Sequence, residues 1–77
     1  MRSSWIRAQE QQAEELIAAG RSLEAADHCE SIADYYSREE ANCDEAGEFA
    51  EGMRASRSAE VWSARARELR QKREGPE

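Results

Sequence analysis

Threonine is missing from the 77 residues, and Ile6, Ile17, Ile32 and Val61 are the only β-branched side chains. Strands draw on β-branched and aromatic residues, so a sheet has little to be built from. The one proline, Pro76, stands near the C-terminal end, so no helix loses a backbone donor from within. No apolar run approaches the roughly 18 residues a membrane span needs. Residues 1–12, MRSSWIRAQEQQ, lack the apolar stretch of a secretory signal, and the expected location is cytoplasmic. Cys29 and Cys43 are the only cysteines. On one continuous helix they stand about 21 Å apart at 1.5 Å per residue. With a turn near Ala41 they are separated by about two and a half turns instead. Neither arrangement reaches disulfide distance, so two reduced thiols packed as small hydrophobes are expected.

What is present favours helix. Alanine occurs 14 times, and glutamate and arginine supply 14 and 10 residues more, all strong helix formers. Large apolar side chains are few, and a chain this short supports only a thin core. Either the helices approach closely through alanines, or a second copy of the chain adds burial. The fold class expected is all-α: a small antiparallel bundle of three or four helices arranged as helical hairpins. Residues 1–73 form one domain in this reading, with a frayed tail at 74–77.

Ser3 or Ser4 can cap a first helix, and Gly20 can end it in a left-handed conformation. Ser22 can cap a second helix with the stripe Leu23, Ala26, Cys29, Ala33 and Tyr36. Asn42-Cys43-Asp44-Glu45 has a capping-box-like spacing that starts a third. Ala46, Phe49, Ala50 and Met53 then share a face, while Gly47 and Gly52 each weaken the stretch by roughly 1 kcal/mol. Ser56 or Ser58 can cap a last helix carrying Val61, Trp62, Ala66 and Leu69. The predicted helices are 4–19, 22–40, 43–55 and 58–73, with a single helix in place of the last two as the alternative. A pattern at spacing 33 relates Ala8, Ala13, Leu16 and Ile17 to Ala41, Ala46, Phe49 and Ala50, close to the period of tetratricopeptide hairpins. Met53 stands where that pattern needs a second Gly20, and the early Trp, Leu and Gly of the motif are not in place, so no family is assigned.

Charge is distributed unevenly. The net charge is −6. Residues 24–53 hold ten acids against Arg38 alone, whereas residues 54–77 hold seven bases against four glutamates. Glu40, Asp44 and Glu48 follow at i,i+4, with Glu51 continuing the line, and Asp27, Glu30 and Asp34 make a second line. Like charges at these spacings cost a few tenths of a kcal/mol per pair. Three readings account for them: a solvated face, internal pairing with the basic last helix, or an acidic surface that docks on a basic partner. Direct nucleic-acid binding is disfavoured, because it needs positive charge to displace phosphate counterions. The bases at Arg67, Arg70 and Arg73 also complement a helix C-terminus.

No catalytic constellation is visible. His28, the only histidine, has Glu24 one turn before it. A structural zinc site wants four convergent ligands, and di-iron bundles want repeated Glu-x-x-His units; neither pattern is here. His28 and Cys29 are adjacent on a helix and point about 100° apart, which rules against a nucleophile–base pair. There is no phosphate-binding glycine loop and no Gly-x-Ser-x-Gly elbow. No enzyme activity, metal or cofactor is expected. Trp5 and Trp62 are expected in the core, because so little other bulk is available to bury. Of Tyr35 and Tyr36, one should face inward and one outward.

The expected function is a non-enzymatic protein–protein interaction module. Its candidate partner-binding residues are Asp27, Glu30, Asp34, Glu40, Asp44, Glu48 and Glu51, which would pair with Lys or Arg of a basic partner surface. In size and charge the chain resembles phage-encoded inhibitors such as anti-CRISPR proteins, which mimic nucleic acid and occupy the basic channel of a nucleic-acid-binding complex. Its ten arginines against one lysine suit a GC-rich bacterial or phage genome. A structural alternative is a homodimeric bundle, Rop-like in shape, whose acidic and basic helices pair across two chains.

Overall fold

A computed structural model describes residues 4–73, all but the links of which are helical: α1 (Ser4–Ala18), α2 (Ser22–Ala46) and α3 (Phe49–Arg73). Ser3 as a cap and the tail 74–77 lie outside the described residues. Among the described residues no helix is long and apolar enough to cross a membrane.

Two glycines set where the chain turns. Gly20 (φ +78°) donates its N–H to the Ile17 carbonyl, and Arg21 donates to Leu16. Gly47 (φ +80°) repeats the arrangement, with Gly47 N–H on Asp44 and Glu48 N–H on Cys43. Both are Schellman closures, in which a residue without Cβ takes the left-handed position and satisfies the last carbonyls. The turn expected near residues 40–43 is therefore displaced to Gly47: α2 continues through Asn42-Cys43-Asp44-Glu45, and that segment caps nothing. No break occurs at Ser56 or Ser58, so the two last predicted helices are one. The period of 33 is not structural either. Shifting α1 by 33 residues lands on 37–51, across the α2–α3 turn. Ser22 is the first helical residue and not a cap; Arg21 occupies the cap position, with no side-chain hydrogen bond.

Specific contacts set the helices against one another. Trp5 at the start of α1 meets Tyr35, with ring centroids 5.8 Å apart. Gly52 at the start of α3 lies under the end of α2, where a Cβ would come 3.1 Å from Asp44 Oδ1 and 3.4 Å from Cys43 Cβ. At the other end of α3, Arg70 reaches Asp27 and Glu30 near the start of α2. α1 is ten residues shorter than α2, so it covers only part of the α2–α3 pair.

The core is thin and built largely from alanine. Ile6, Ile32 and Cys29 are the largest fully buried side chains; Ala13, Ala25, Ala26, Ala55, Ala66, Tyr36 and Leu69 complete it. Leu16, Ile17, Ala59 and Trp62 pack against it from partly buried positions. Trp5, expected inside, is 50% exposed at the start of α1, with its ring against Tyr35. Trp62 is half-buried under the Arg65 guanidinium, 4.6 Å from its ring. Leu23, Phe49, Met53 and Val61, all expected to pack inward, are exposed.

Ile32→Ala should remove about 2–5 kcal/mol, enough to leave most of so small a domain unfolded at 25 °C by circular dichroism. Phe49→Ser should leave the melting midpoint of the monomer unchanged. Gly47→Ala should cost about 1 kcal/mol, since alanine must take a left-handed conformation there.

Candidate acidic surface

The sequence places seven carboxylates in two lines, and α2 separates them. At about 100° per residue, Asp27, Glu30 and Asp34 share one direction, and Glu40 and Asp44 point roughly a quarter turn away. Glu48 sits in the link after Gly47, and Glu51 lies in the first turn of α3. All are exposed except Glu40, which is half-buried.

The basic α3 reaches the first line. Arg70 forms ion pairs with Glu30 (2.5 Å) and Asp27 (3.4 Å). Its guanidinium holds the Glu30 carboxyl below the ordinary glutamate range through a charge-assisted hydrogen bond. Arg65 makes the equivalent tie to α1, with two hydrogen bonds of 3.0 and 3.3 Å to Glu14, and that carboxyl is lowered for the same reason. Two of the seven candidates thus share one counter-charge inside the chain.

The second line behaves differently. Among the described residues, Glu40, Asp44 and Glu48 make no ion pair, and neither do Glu39 and Glu45 nearby. Glu51 pairs only with Arg54, its neighbour one turn on, at 3.4 Å. The Cys43 thiol registers the result. It is pushed above the usual cysteine value by partial burial, and then by Glu48, Glu39, Glu51 and Asp44 together. Glu39 and Glu45 were not among the residues singled out from sequence, because the i,i+4 spacing skips them. They join the cluster because the turn falls at Gly47 and α2 is longer than the pattern suggested.

Two concave surfaces flank this end of the molecule. One, beyond the start of α1, is lined by Tyr35, Tyr36, Glu39, Cys43, Glu51 and Arg54. Tyr36 is buried and donates its hydroxyl to Glu10 at 2.6 Å; Tyr35 is half-buried, edge-on to Tyr36 at 5.3 Å. The other is a groove between α2 and α3 where Phe49 and Met53, each 67% exposed, stand beside Glu40 and Asp44. His28 lies away from both, half-buried, with Nδ1 donating to Gln9 Oε1 at 2.8 Å. Among the described residues no group of three or more His, Cys, Asp or Glu side chains converges as a metal ion would require. Both cysteines are free thiols, and burial raises Cys29 as well.

Two outcomes follow. Glu30 and Glu14 are lowered in the folded chain, so they add stability above the ordinary carboxylate range, and that contribution is lost as pH falls through their lowered values. Arg70→Gln should make urea stability less sensitive to pH on the acid side, and an unchanged pH profile would contradict the Arg70 fork. Cys43 should alkylate more slowly than a model thiol at pH 7.5, and Glu48→Lys should speed it by lowering the local negative potential. Comparison with protein-family models, curated protein sequences and solved structures finds no match to this chain.

Proposed function

We propose that this chain is a non-enzymatic interaction module that docks on a basic protein surface through the acidic end of an antiparallel α2–α3 hairpin. One observation carries the reading. Asp27 and Glu30 near the start of α2 are paired with Arg70, whereas Glu39, Glu40, Asp44, Glu45 and Glu48 around the Gly47 turn form no ion pair among the described residues. Five uncompensated carboxylates within three helical turns cost stability that the pairing at Arg70 shows to be avoidable on this scaffold. An opposing cationic surface would convert that cost into complementarity, speeding encounter and selecting partners.

The chemistry expected of the partner is a cluster of Lys or Arg. The basic channel of a complex that holds nucleic acid has this character, and the chain would then occupy it in place of phosphates. Direct contact with nucleic acid is not part of the proposal, because the acidic end would repel it. Of the residues first singled out, Glu40, Asp44, Glu48 and Glu51 remain in the docking surface with Asp34 beside them, and Glu39 and Glu45 join it. Asp27 and Glu30 act within the fold.

The immobilised chain should retain a set of basic proteins from a cell lysate at low ionic strength and release them steeply as salt rises through about 0.15 M, where the screening length is about 8 Å. The double variant Glu45→Lys/Glu48→Lys should lose that set while keeping its helicity. An identical captured set from both proteins would overturn the reading.

A further inference from the structure

We infer that the α2–α3 groove is an interface with a second copy of this chain, packed end for end. The groove is continuous. Its upper part is lined by Asp44, Phe49, Met53 and Arg57, its lower part by Ser37, Ser63, Ala64 and Arg67, and Glu40, Ser56 and Glu60 belong to both. None of these residues comes from α1. Its middle, at Ser37, Ser56, Ala59 and Ser63, is made of small side chains, which permit close approach of another helix. Its apolar content is concentrated at one end, in Phe49 and Met53.

The charges decide the occupant. Glu40, Asp44, Arg57, Glu60 and Arg67 all line the groove, and among the described residues none of the five forms an ion pair within the chain. Both signs are present, and their order is self-complementary. Asp44 lies over Gly52, and Arg67 lies 15 residues further along α3, about 22 Å away at 1.5 Å per residue. The midpoint falls beside Ala59 and Glu60. A twofold axis there brings Asp44 of each copy to Arg67 of the other; the two Glu60 side chains meet beside the axis, each flanked by the other copy's Arg57 about 3 Å further along. It also lays Phe49 and Met53 over the aliphatic stems of Arg67 and Arg70. A purely basic partner would meet Arg57 and Arg67 as like charges, so the groove fits a second copy better than it fits the partner of the acidic tip.

Shape points the same way. The molecule measures 48 × 23 × 13 Å, with a radius of gyration of 13.6 Å. A globule of this length has about 11.5 Å. The helices therefore form little more than one layer, and a helical domain normally buries its apolar stripes between two. A face of 48 × 23 Å is ample for the roughly 800 Å² that each partner gives to a standard interface. The pairing takes Glu40 and Asp44 out of the docking surface proposed above and leaves Glu39, Glu45 and Glu48 outward, so the dimer would carry an acidic end at each pole. It does not require the docking function to be correct.

Sedimentation velocity on the full chain at about 100 µM tests the inference, since interfaces of standard size have dissociation constants of roughly micromolar or tighter. The expected species has twice the 8.7 kDa chain mass. Arg67→Asp and Asp44→Arg should each shift it to monomer with circular dichroism unchanged, because each sets like charges opposite one another. The double variant Asp44→Arg/Arg67→Asp should restore the dimer. A monomeric wild-type chain overturns the inference, and so does a dimer that both single variants leave intact, since it would use another face. Neither result bears on whether Glu45→Lys/Glu48→Lys loses basic proteins, so the two proposals fail separately.

Discussion

Shortage of bulk is the constraint from which the rest of this structure follows. With Ile6, Ile32 and Cys29 the largest fully buried side chains, the helices are held by alanine faces that must come close to touch. Close approach explains why Ala25 and Ala26 are both fully buried on α2, and why a glycine lies where α3 begins to run beside it. It also explains why long polar side chains take structural roles. Arg65 covers Trp62 and reaches across to Glu14, and Tyr36 reaches Glu10, so the edges of the core are closed by hydrogen bonds as much as by apolar contact.

The unequal treatment of the acidic residues grows out of the same geometry. α3 lies along α2, so its basic end meets the start of α2, where Arg70 can span Asp27 and Glu30. The start of α3 carries few bases, and it meets the acidic end of α2. One half of the hairpin is therefore electrostatically closed and the other is open. The closed half belongs to the fold, and the open half is the surface from which a function can be argued.

Much of the fold could be read from the residues. The absence of threonine and internal proline, together with the alanine content, pointed to helices alone, and Gly20 marked the first turn. The second turn was harder to find because two signals competed. Asn42 to Glu45 imitates a capping box, while Gly47 reads equally as a weak point inside a helix. The left-handed closure at Gly47 satisfies the Cys43 and Asp44 carbonyls, and the close approach of Cys43 and Asp44 to Gly52 places the end of the longer α2 against α3. Burial was misjudged for Trp5, Phe49 and Met53, since hydrophobicity alone does not say whether a neighbouring helix extends far enough to cover a side chain. Internal pairing was one of the readings of the charge, but sequence could not choose which acids Arg70 would reach. That depends on the register of α3 against α2, which the Gly47 turn sets.

A thin core concentrated in the middle of α2 should give a steep gradient of local stability. Amide hydrogen exchange at low micromolar concentration measures it residue by residue. The slowest amides should lie between Ala25 and Tyr36, and those from Asp44 through Ala50, around the Gly47 turn, should exchange fastest within the helical region. Equal protection along the whole of α2 and α3 would contradict the account, because the two ends of the hairpin would then be held with the same strength.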